Sequence, residues 1–220
     1  MEHLVQLFQW TVDVIHALGL PGVFVLMTLE STFVPIPSEL VMPQAGYLAA
    51  QGAMNFWLAL LMATLGSVLG ALINYGIAVK MGRPLMLKYG KFFFCPLHKF
   101  EKMEKFFVSH GEISTFTGRL ILGVRHFISF PAGLARMHLW KFCFYTAIGA
   151  GFWAAVLEAI GYYVGRKLPT QKEFLVAAKH YSHVAALVGF LGCVVLVVGY
   201  VWLHRRRKAA AAAAVTASVE

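Results

Sequence analysis

The sequence predicts an all-α integral membrane protein in which two re-entrant helical hairpins form an inverted repeat, accompanied by about three transmembrane helices and amphipathic surface helices. The first observation behind this fold class is composition: apolar residues make up 59% of the 220-residue chain and charged residues only 13%. Ordinary soluble domains contain about 45–50% apolar and about 25% charged residues. The other two observations are long stretches without charge and apolar segments interrupted by proline and charge. This composition excludes a disordered chain and a small disulfide-stapled domain.

Three segments are long and apolar enough to cross a bilayer as helices, which takes about 20 residues. Phe56–Val79 contains 24 residues without a charge, and Val184–Leu203 contains 20. Leu139–Val164 is apolar apart from Lys141 near its start and Glu158 inside it. We predict a transmembrane helix in each of these segments.

Two further apolar segments, from about 20 to 51 and from about 113 to 138, are interrupted by charge and by helix breakers. Proline removes a backbone donor and disfavours helix at the residue before it. Non-helical backbone at membrane depth is tolerated only where it is buried in protein or lines a cavity. We therefore predict two re-entrant hairpins, with breaks at Pro35 and Pro37 in the first and at Pro131 and Gly133 in the second.

The segments follow one another in an order that suggests two repeats separated by a charged region. Apolar residues at spacings of three and four within 97–108 are typical of an amphipathic surface helix. The predicted units are an N-terminal amphipathic helix at 1–19, a first repeat at 20–80, a cytoplasmic amphipathic segment at 81–111, a second repeat at 112–167, a loop and last transmembrane helix at 168–204, and a basic then alanine-rich cytoplasmic tail at 205–220.

The net charge of +9 is concentrated in two basic clusters, at 80–105 and at 205–208. In a membrane protein such clusters are typical of cytoplasmic loops and of contact with anionic lipid, and we predict no nucleic-acid binding. If both clusters are cytoplasmic, the chain between them crosses an even number of times, so the second hairpin must return to its own side. The same count predicts that the first hairpin enters from the outer face and the second from the cytoplasmic face.

A faint internal repeat relates the two halves at a shift of 83 residues. Trp57 falls on Trp140 and Gly66 on Gly149, and a gap of four residues brings Ala45-Gly46 onto Ala132-Gly133. Hairpins that enter from opposite faces and repeat in sequence are typical of secondary transporters, whose substrates bind at broken helices near the middle of the membrane.

Four charged residues, two acids and two bases, fall inside the predicted hairpins: Glu30, Glu39, Arg119 and Arg125. A charge at membrane depth costs roughly 2.5–3.5 kcal/mol or more, so such residues are usually paired and functional. They could form only structural salt bridges. Alternatively, Arg119 and Arg125 bind a phosphate with their planar guanidinium groups, helped by Arg136, while Glu30 and Glu39 exchange protons.

The same residues carry a resemblance to a known family. Glu30-Ser-Thr-Phe-Val-Pro35-Ile-Pro37-Ser-Glu39 and Gly118-Arg119…Gly123-Val-Arg125…Pro131-Ala-Gly133-Leu-Ala-Arg136 resemble the two signature segments of the DedA family (SNARE-associated, VTT-domain proteins). The second segment departs from the family pattern Gly-Arg-Phe-x-Pro, because leucine occupies the phenylalanine and proline positions at 120 and 122.

The resemblance implies a multi-pass protein of the bacterial cytoplasmic (inner) membrane that moves undecaprenyl phosphate or phosphatidylethanolamine and depends on the proton gradient. It matches the functional acids of the family to Glu30 and Glu39, and the functional arginines to Arg119 and Arg125. The expected partners are membrane lipids, a lipid-phosphate substrate and protons, and a homo-oligomer is left open.

The leading functional hypothesis is therefore a lipid flippase or scramblase. No Gly-x-x-x-x-Gly-Lys-Ser/Thr motif for nucleotide phosphates occurs in the sequence. The nine histidines are scattered without a recognisable nucleophile or ligand spacing, so we expect neither a metal, nor another cofactor, nor an enzyme. A membrane lipid phosphatase and a small-ion or proton exchanger are the alternatives.

Overall fold

A computed structural model describes residues 2–32, 38–89, 114–119, 125 and 127–167. Across these ranges the chain is helical and contains no strand. The helices are α1 (Glu2–Leu18), α2 (Leu20–Glu30), α3 (Ser38–Ala50), α4 (Phe56–Tyr89), α5 (114–119), α6 (Ser129–Leu134) and α7 (Leu139–Lys167). The predicted third span at 184–203, the amphipathic segment at 97–108 and the tail lie outside the described residues.

Two long antiparallel helices, α4 and α7, form the frame of the structure. Their segments Phe56–Lys80 and Leu139–Lys167 are long and apolar enough to cross a membrane, as the sequence predicts. The rings of Phe56 and Tyr162 lie 5.7 Å apart at one end, and those of Tyr75 and Phe142 lie 4.9 Å apart at the other. Since the start of α4 meets the end of α7, the two helices run in opposite directions.

The outward face of α4 carries a stripe of apolar side chains. Five of them are between 40% and 48% exposed and recur every three or four residues, which is one helix face: Leu58, Leu61, Leu65, Leu69 and Ile73. The helix continues past the predicted end of the charge-free span, as far as Tyr89.

The first arm of the first hairpin, α2, lies along α4 and runs in the same direction. A Cβ at Gly66 would meet the backbone carbonyl of Phe24, and one at Gly70 would meet that of Thr28. The two glycines thus let the backbones touch, as predicted for small residues four apart.

The second arm, α3, lies along α7, also in parallel. A Cβ at Gly161 would meet the backbone of Pro43, and one at Gly165 would lie 3.0 Å from the ring of Tyr47. Because α4 and α7 are antiparallel, α2 and α3 are antiparallel to each other, which is the geometry of a hairpin. The segment 33–37 that joins them, with Pro35 and Pro37, lies outside the described residues.

The second hairpin contributes α5 and α6, and its arms pack on the same two helices in the opposite order. Helix α5 contacts α7 where Gly149 meets the side chain of Arg119, and α6 contacts α4 where Gly133 meets Tyr75. Pro131 and Gly133 lie inside α6 rather than at a break. Proline is tolerated there because the first four N–H groups of a helix have no intrahelical partner. The small Gly133 instead allows α6 to approach α4.

The faint sequence repeat reappears in these contacts. Gly46 and Gly133 are equivalent in the repeat; a Cβ at Gly46 would meet the carbonyl of Glu158, and one at Gly133 would lie 2.6 Å from that of Tyr75. Glu158 follows Tyr75 by 83 residues, which is the shift that relates the two halves of the sequence. Each half therefore places its second arm on the equivalent turn of the other half's long helix.

The N-terminal helix α1 packs on the first hairpin. Thr11, Val12 and Ile15 are buried, whereas Trp10 is 45% exposed, which agrees with the predicted amphipathic helix. Nε2 of Gln44 in α3 donates a hydrogen bond of 3.4 Å to Oγ1 of Thr11.

We predict that a methyl group has opposite effects at two helical glycines. Gly161→Ala pushes a side chain into the backbone of Pro43, and such overpacking costs about 1–3 kcal/mol. Gly76→Ala adds the same methyl where no atom lies within 4 Å, and alanine gains about 1 kcal/mol in helix propensity. Thermal unfolding of both variants in one detergent checks the prediction. Equal melting temperatures would contradict the tight contact between α3 and α7.

Candidate functional site

Arg125 is the centre of the candidate site, because its side chain contacts both arms of the first hairpin. Its Nη2 lies 2.6 Å from Oε1 of Glu30 and 3.4 Å from Oε1 of Glu39. The same atom donates a hydrogen bond of 2.7 Å to Oγ of Ser38. One guanidinium from the second hairpin thus joins the last residue of α2 to the first two residues of α3.

The break in the first hairpin positions these carboxylates. Glu39 lies in the first turn of α3, where the positive end of the helix dipole favours a negative charge. Glu30 ends α2 and accepts a hydrogen bond of 3.0 Å from Oγ of Ser31. Nδ2 of Asn74 donates to the carbonyl oxygen of Ser31 at 3.1 Å, which ties the end of α2 to α4.

Arg119 has the corresponding place in the second hairpin. It is the last residue of α5, it is 4% exposed, and its Nη2 donates a hydrogen bond of 2.9 Å to Oγ of Ser129 in the first turn of α6. Each hairpin therefore has a polar contact across its own two arms.

A small cavity lies where the ends of the hairpins meet. It has room for about one water molecule. Trp153 is the central residue of Leu139–Lys167, and Ser67 lies one residue from the centre of Phe56–Lys80, so the cavity is at the middle of both long helices. The lining residues are Met27, Glu30, Ser31, Ser67, Arg119, Arg125, Ala150 and Trp153.

The site contains two buried guanidiniums facing two carboxylates, which balances its formal charge. Several buried polar atoms nevertheless have no hydrogen-bond partner within the described part of the chain: Oε1 of Glu39, Nε of Arg119, Nε of Arg125 and Nε1 of Trp153. A buried polar group without a partner costs about 1–3 kcal/mol. The site is thus held together by ion pairs and still has free donor capacity.

The structure brings Glu30, Glu39, Arg119 and Arg125 together, as predicted. Arg136 is exposed, has a φ of 50° in the turn after α6, and does not line the cavity. Its predicted role in phosphate binding is therefore left out of the proposal below.

Sequence reasoning missed two residues that line the cavity, Ser67 and Trp153. Both lie inside apolar spans, where a serine or a tryptophan carries no local signal. The repeat could have drawn attention to 150, a lining residue that is equivalent to 67 at the shift of 83. Among the described residues, no group of three His, Cys, Asp or Glu side chains could hold a metal ion.

Comparison with known proteins identifies the class of protein. A family profile described as the VTT domain matches residues 36–163, which is more than half of the chain. The chain belongs to this VTT-domain (DedA) family, as its two signature segments predict.

Three bacterial relatives from Bacillus subtilis illustrate the similarity. The uncharacterized membrane protein YkoX is 36% identical over 62% of this chain, and the match spans only 60% of YkoX. The uncharacterized membrane protein YbfM is 35% identical over 67% of this chain and 91% of its own. Undecaprenyl phosphate transporter A is 32% identical over 67% of this chain and 73% of its own. No solved structure matches the chain.

We predict that the two carboxylates of the site differ in their importance for stability. Glu30→Gln removes the partner at 2.6 Å from a buried guanidinium, and breaking such a pair costs about 3–5 kcal/mol. Glu39→Gln removes a weaker partner, 3.4 Å away, and is expected to cost less than half as much. Chemical unfolding of the two variants in the same detergent measures both effects, with Gln51→Ala at an exposed position as the control. A larger loss in Glu39→Gln would reverse the assignment.

Proposed function

We propose that this protein moves a lipid phosphate across the bacterial cytoplasmic membrane, as a flippase or scramblase. The observation that carries the proposal is the meeting of Arg119 and Arg125 with Glu30 and Glu39 at the middle of two membrane-spanning helices. Buried charge at that depth is expensive and is usually retained for transport. The relative named undecaprenyl phosphate transporter A supports a lipid phosphate as the substrate.

Side-chain exposure supports a multi-pass arrangement of this chain in the bilayer. Trp57 and Tyr163 are 73% and 63% exposed at one end of the α4–α7 pair, and Trp140 is 75% exposed at the other end. Aromatic side chains at both ends of an apolar frame are typical of the two membrane–water interfaces. The apolar stripe on α4 then faces lipid, and the cavity lies between the interfaces.

Within this arrangement, the two hairpins are proposed to re-enter the membrane from opposite faces. Three features support an inverted repeat: antiparallel long helices, antiparallel arms α2 and α3, and glycine contacts that recur at the sequence shift. In transporters of this design, the substrate binds where the broken helices meet, and each half in turn opens that site to one face.

The arginines are proposed to hold the phosphate while the lipid tail stays in the bilayer. A guanidinium binds two phosphate oxygens at once, and a low-dielectric site strengthens that contact. The cavity is smaller than a phosphate, so the headgroup enters only when α4 and α7 move apart. The geometry described above thus corresponds to a closed, empty state in which Glu30 takes the place of the phosphate on Arg125.

Glu39 is the proposed proton carrier. Its Oε1 lies 3.4 Å from Arg125 without a hydrogen bond to any described residue, so it is held less tightly than Glu30. Protonation of Glu39 removes one of the two anions that compete with a phosphate for Arg125. Proton and phosphate are then bound together, and an inward proton gradient drives the phosphate toward the cytoplasm.

Reconstitution tests this function against the alternatives. We expect purified protein in vesicles to move fluorescent undecaprenyl phosphate, or fluorescent phosphatidylethanolamine, faster than empty vesicles, and to respond to a pH gradient. Ion flux without lipid movement would instead favour an exchanger, and release of inorganic phosphate would favour a phosphatase.

Arg125→Lys is predicted to lose transport nearly as completely as Arg125→Ala. Lysine keeps the charge but offers a point instead of a planar fork, so it cannot hold Glu30, Ser38 and a phosphate in the same geometry. Initial rates of lipid movement, normalised to folded protein, measure the effect, and Arg136→Lys at an exposed position is the control. Full transport by Arg125→Lys would mean that charge alone is needed.

Glu39→Gln is predicted to keep or strengthen lipid-phosphate binding and to abolish the response to a pH gradient. Glutamine cannot release a proton, and it removes an anion that competes for Arg125. Affinity and transport are measured on one preparation at equal and at unequal pH across the membrane. An unchanged gradient response per folded molecule would exclude Glu39 as the proton carrier.

A further inference from the structure

Three N–H donors without acceptors belong to residues that line the same cavity. They are Nε1 of Trp153, Nε of Arg119 and Nε of Arg125, and no hydrogen bond to any of them occurs within the described ranges. The three residues are only 5%, 4% and 7% exposed, so bulk water does not satisfy these donors. An excess of unpaired donors around one cavity indicates a ligand that brings acceptor oxygens.

Trp153 is the unexpected member of this set. Tryptophan in membrane proteins usually lies at the membrane–water interfaces, as the exposed Trp57 and Trp140 do. Trp153 is buried instead at the centre of α7, and a buried indole N–H normally has a partner. Cζ of Arg125 lies 5.7 Å from the centroid of its ring, a cation–π contact that accounts for the ring and leaves the N–H unused.

We propose that Trp153 is a phosphate ligand, whose indole N–H binds an oxygen of the lipid headgroup that Arg119 and Arg125 hold. This inference rests on the proposed function. It adds a neutral donor to the two cationic ones. An indole N–H can donate but cannot accept, and it carries no charge that the carboxylates of the empty site could neutralise. Trp153 therefore stays available for the substrate when Glu30 and Glu39 occupy Arg125.

The proposal differs from a purely structural role in one respect. If Trp153 served only to stack on Arg125, an aromatic ring without an N–H would be sufficient. Trp153→Phe keeps an aromatic ring at this position, and an incorporated benzothienylalanine keeps the full size of the bicyclic ring while replacing the N–H by sulfur. Trp57→Phe, at an exposed position, is the matched control.

The binding test uses two defined probes, farnesyl phosphate and a short-chain phosphatidylethanolamine, on the full-length protein in detergent. Both the phenylalanine and the benzothienylalanine variants are expected to bind the preferred probe about tenfold more weakly or worse, which is the usual effect of a lost hydrogen bond to a charged group. Trp57→Phe is expected to bind like the wild type. Unchanged affinity in the benzothienylalanine variant overturns the proposal, even if Trp153→Phe binds weakly.

A spectroscopic test reports on the N–H itself. The chain contains five tryptophans, so the 15N-indole resonance of Trp153 can be assigned by its absence in Trp153→Phe. Titration with the bound probe is expected to shift this resonance downfield, whereas farnesol, which has no phosphate, should leave it in place. A resonance that both compounds leave unmoved overturns the proposal. If neither probe binds the wild type, the proposed function fails first.

Discussion

The contact between Arg125 and the two ends of the break in the first hairpin is the interaction on which the site depends. A guanidinium buried at the centre of two apolar helices needs anionic partners, and Glu30 supplies one at 2.6 Å. That requirement fixes where α2 ends, where α3 begins and how closely the second hairpin approaches the first. Ser31 and Asn74 extend the same polar contact to α4. The ion pair thus joins both hairpins and one long helix at a single point.

Such a pair has a dual character in a transport protein. It stabilises the empty site, because each charge would be costly alone, and it also occupies the groups that a phosphate would need. Substrate and carboxylates then compete for the same guanidinium, which is a direct physical route to coupling with protons. The unused donors on Arg119, Arg125 and Trp153 show that this internal pairing leaves part of the binding capacity free.

Much of this arrangement could be predicted from the sequence, since charge and proline are rare in apolar segments and therefore conspicuous. Glu30, Glu39, Arg119 and Arg125 were identifiable for that reason, and the two long helices for their length. Trp153 and Ser67 were not, because an apolar or small residue within a span has no pattern that reveals which face points inward. Pro131 was misleading for a related reason: a proline breaks a helix from within but is tolerated in its first turn, and only the structure distinguishes the two positions.

The glycine contacts also determine which parts of the molecule can move together. Helix α2 touches α4 and α3 touches α7 backbone to backbone, while α6 packs on α4 and α5 on α7. Each hairpin therefore has one arm attached to each long helix. A displacement of α4 relative to α7 would spread the arms of both hairpins at once, like two pairs of scissors sharing their handles. Because the closely packed glycines resist separation within each half, the ion pairs at the hairpin ends become the contacts that open, and the access route to the site is determined by the backbone.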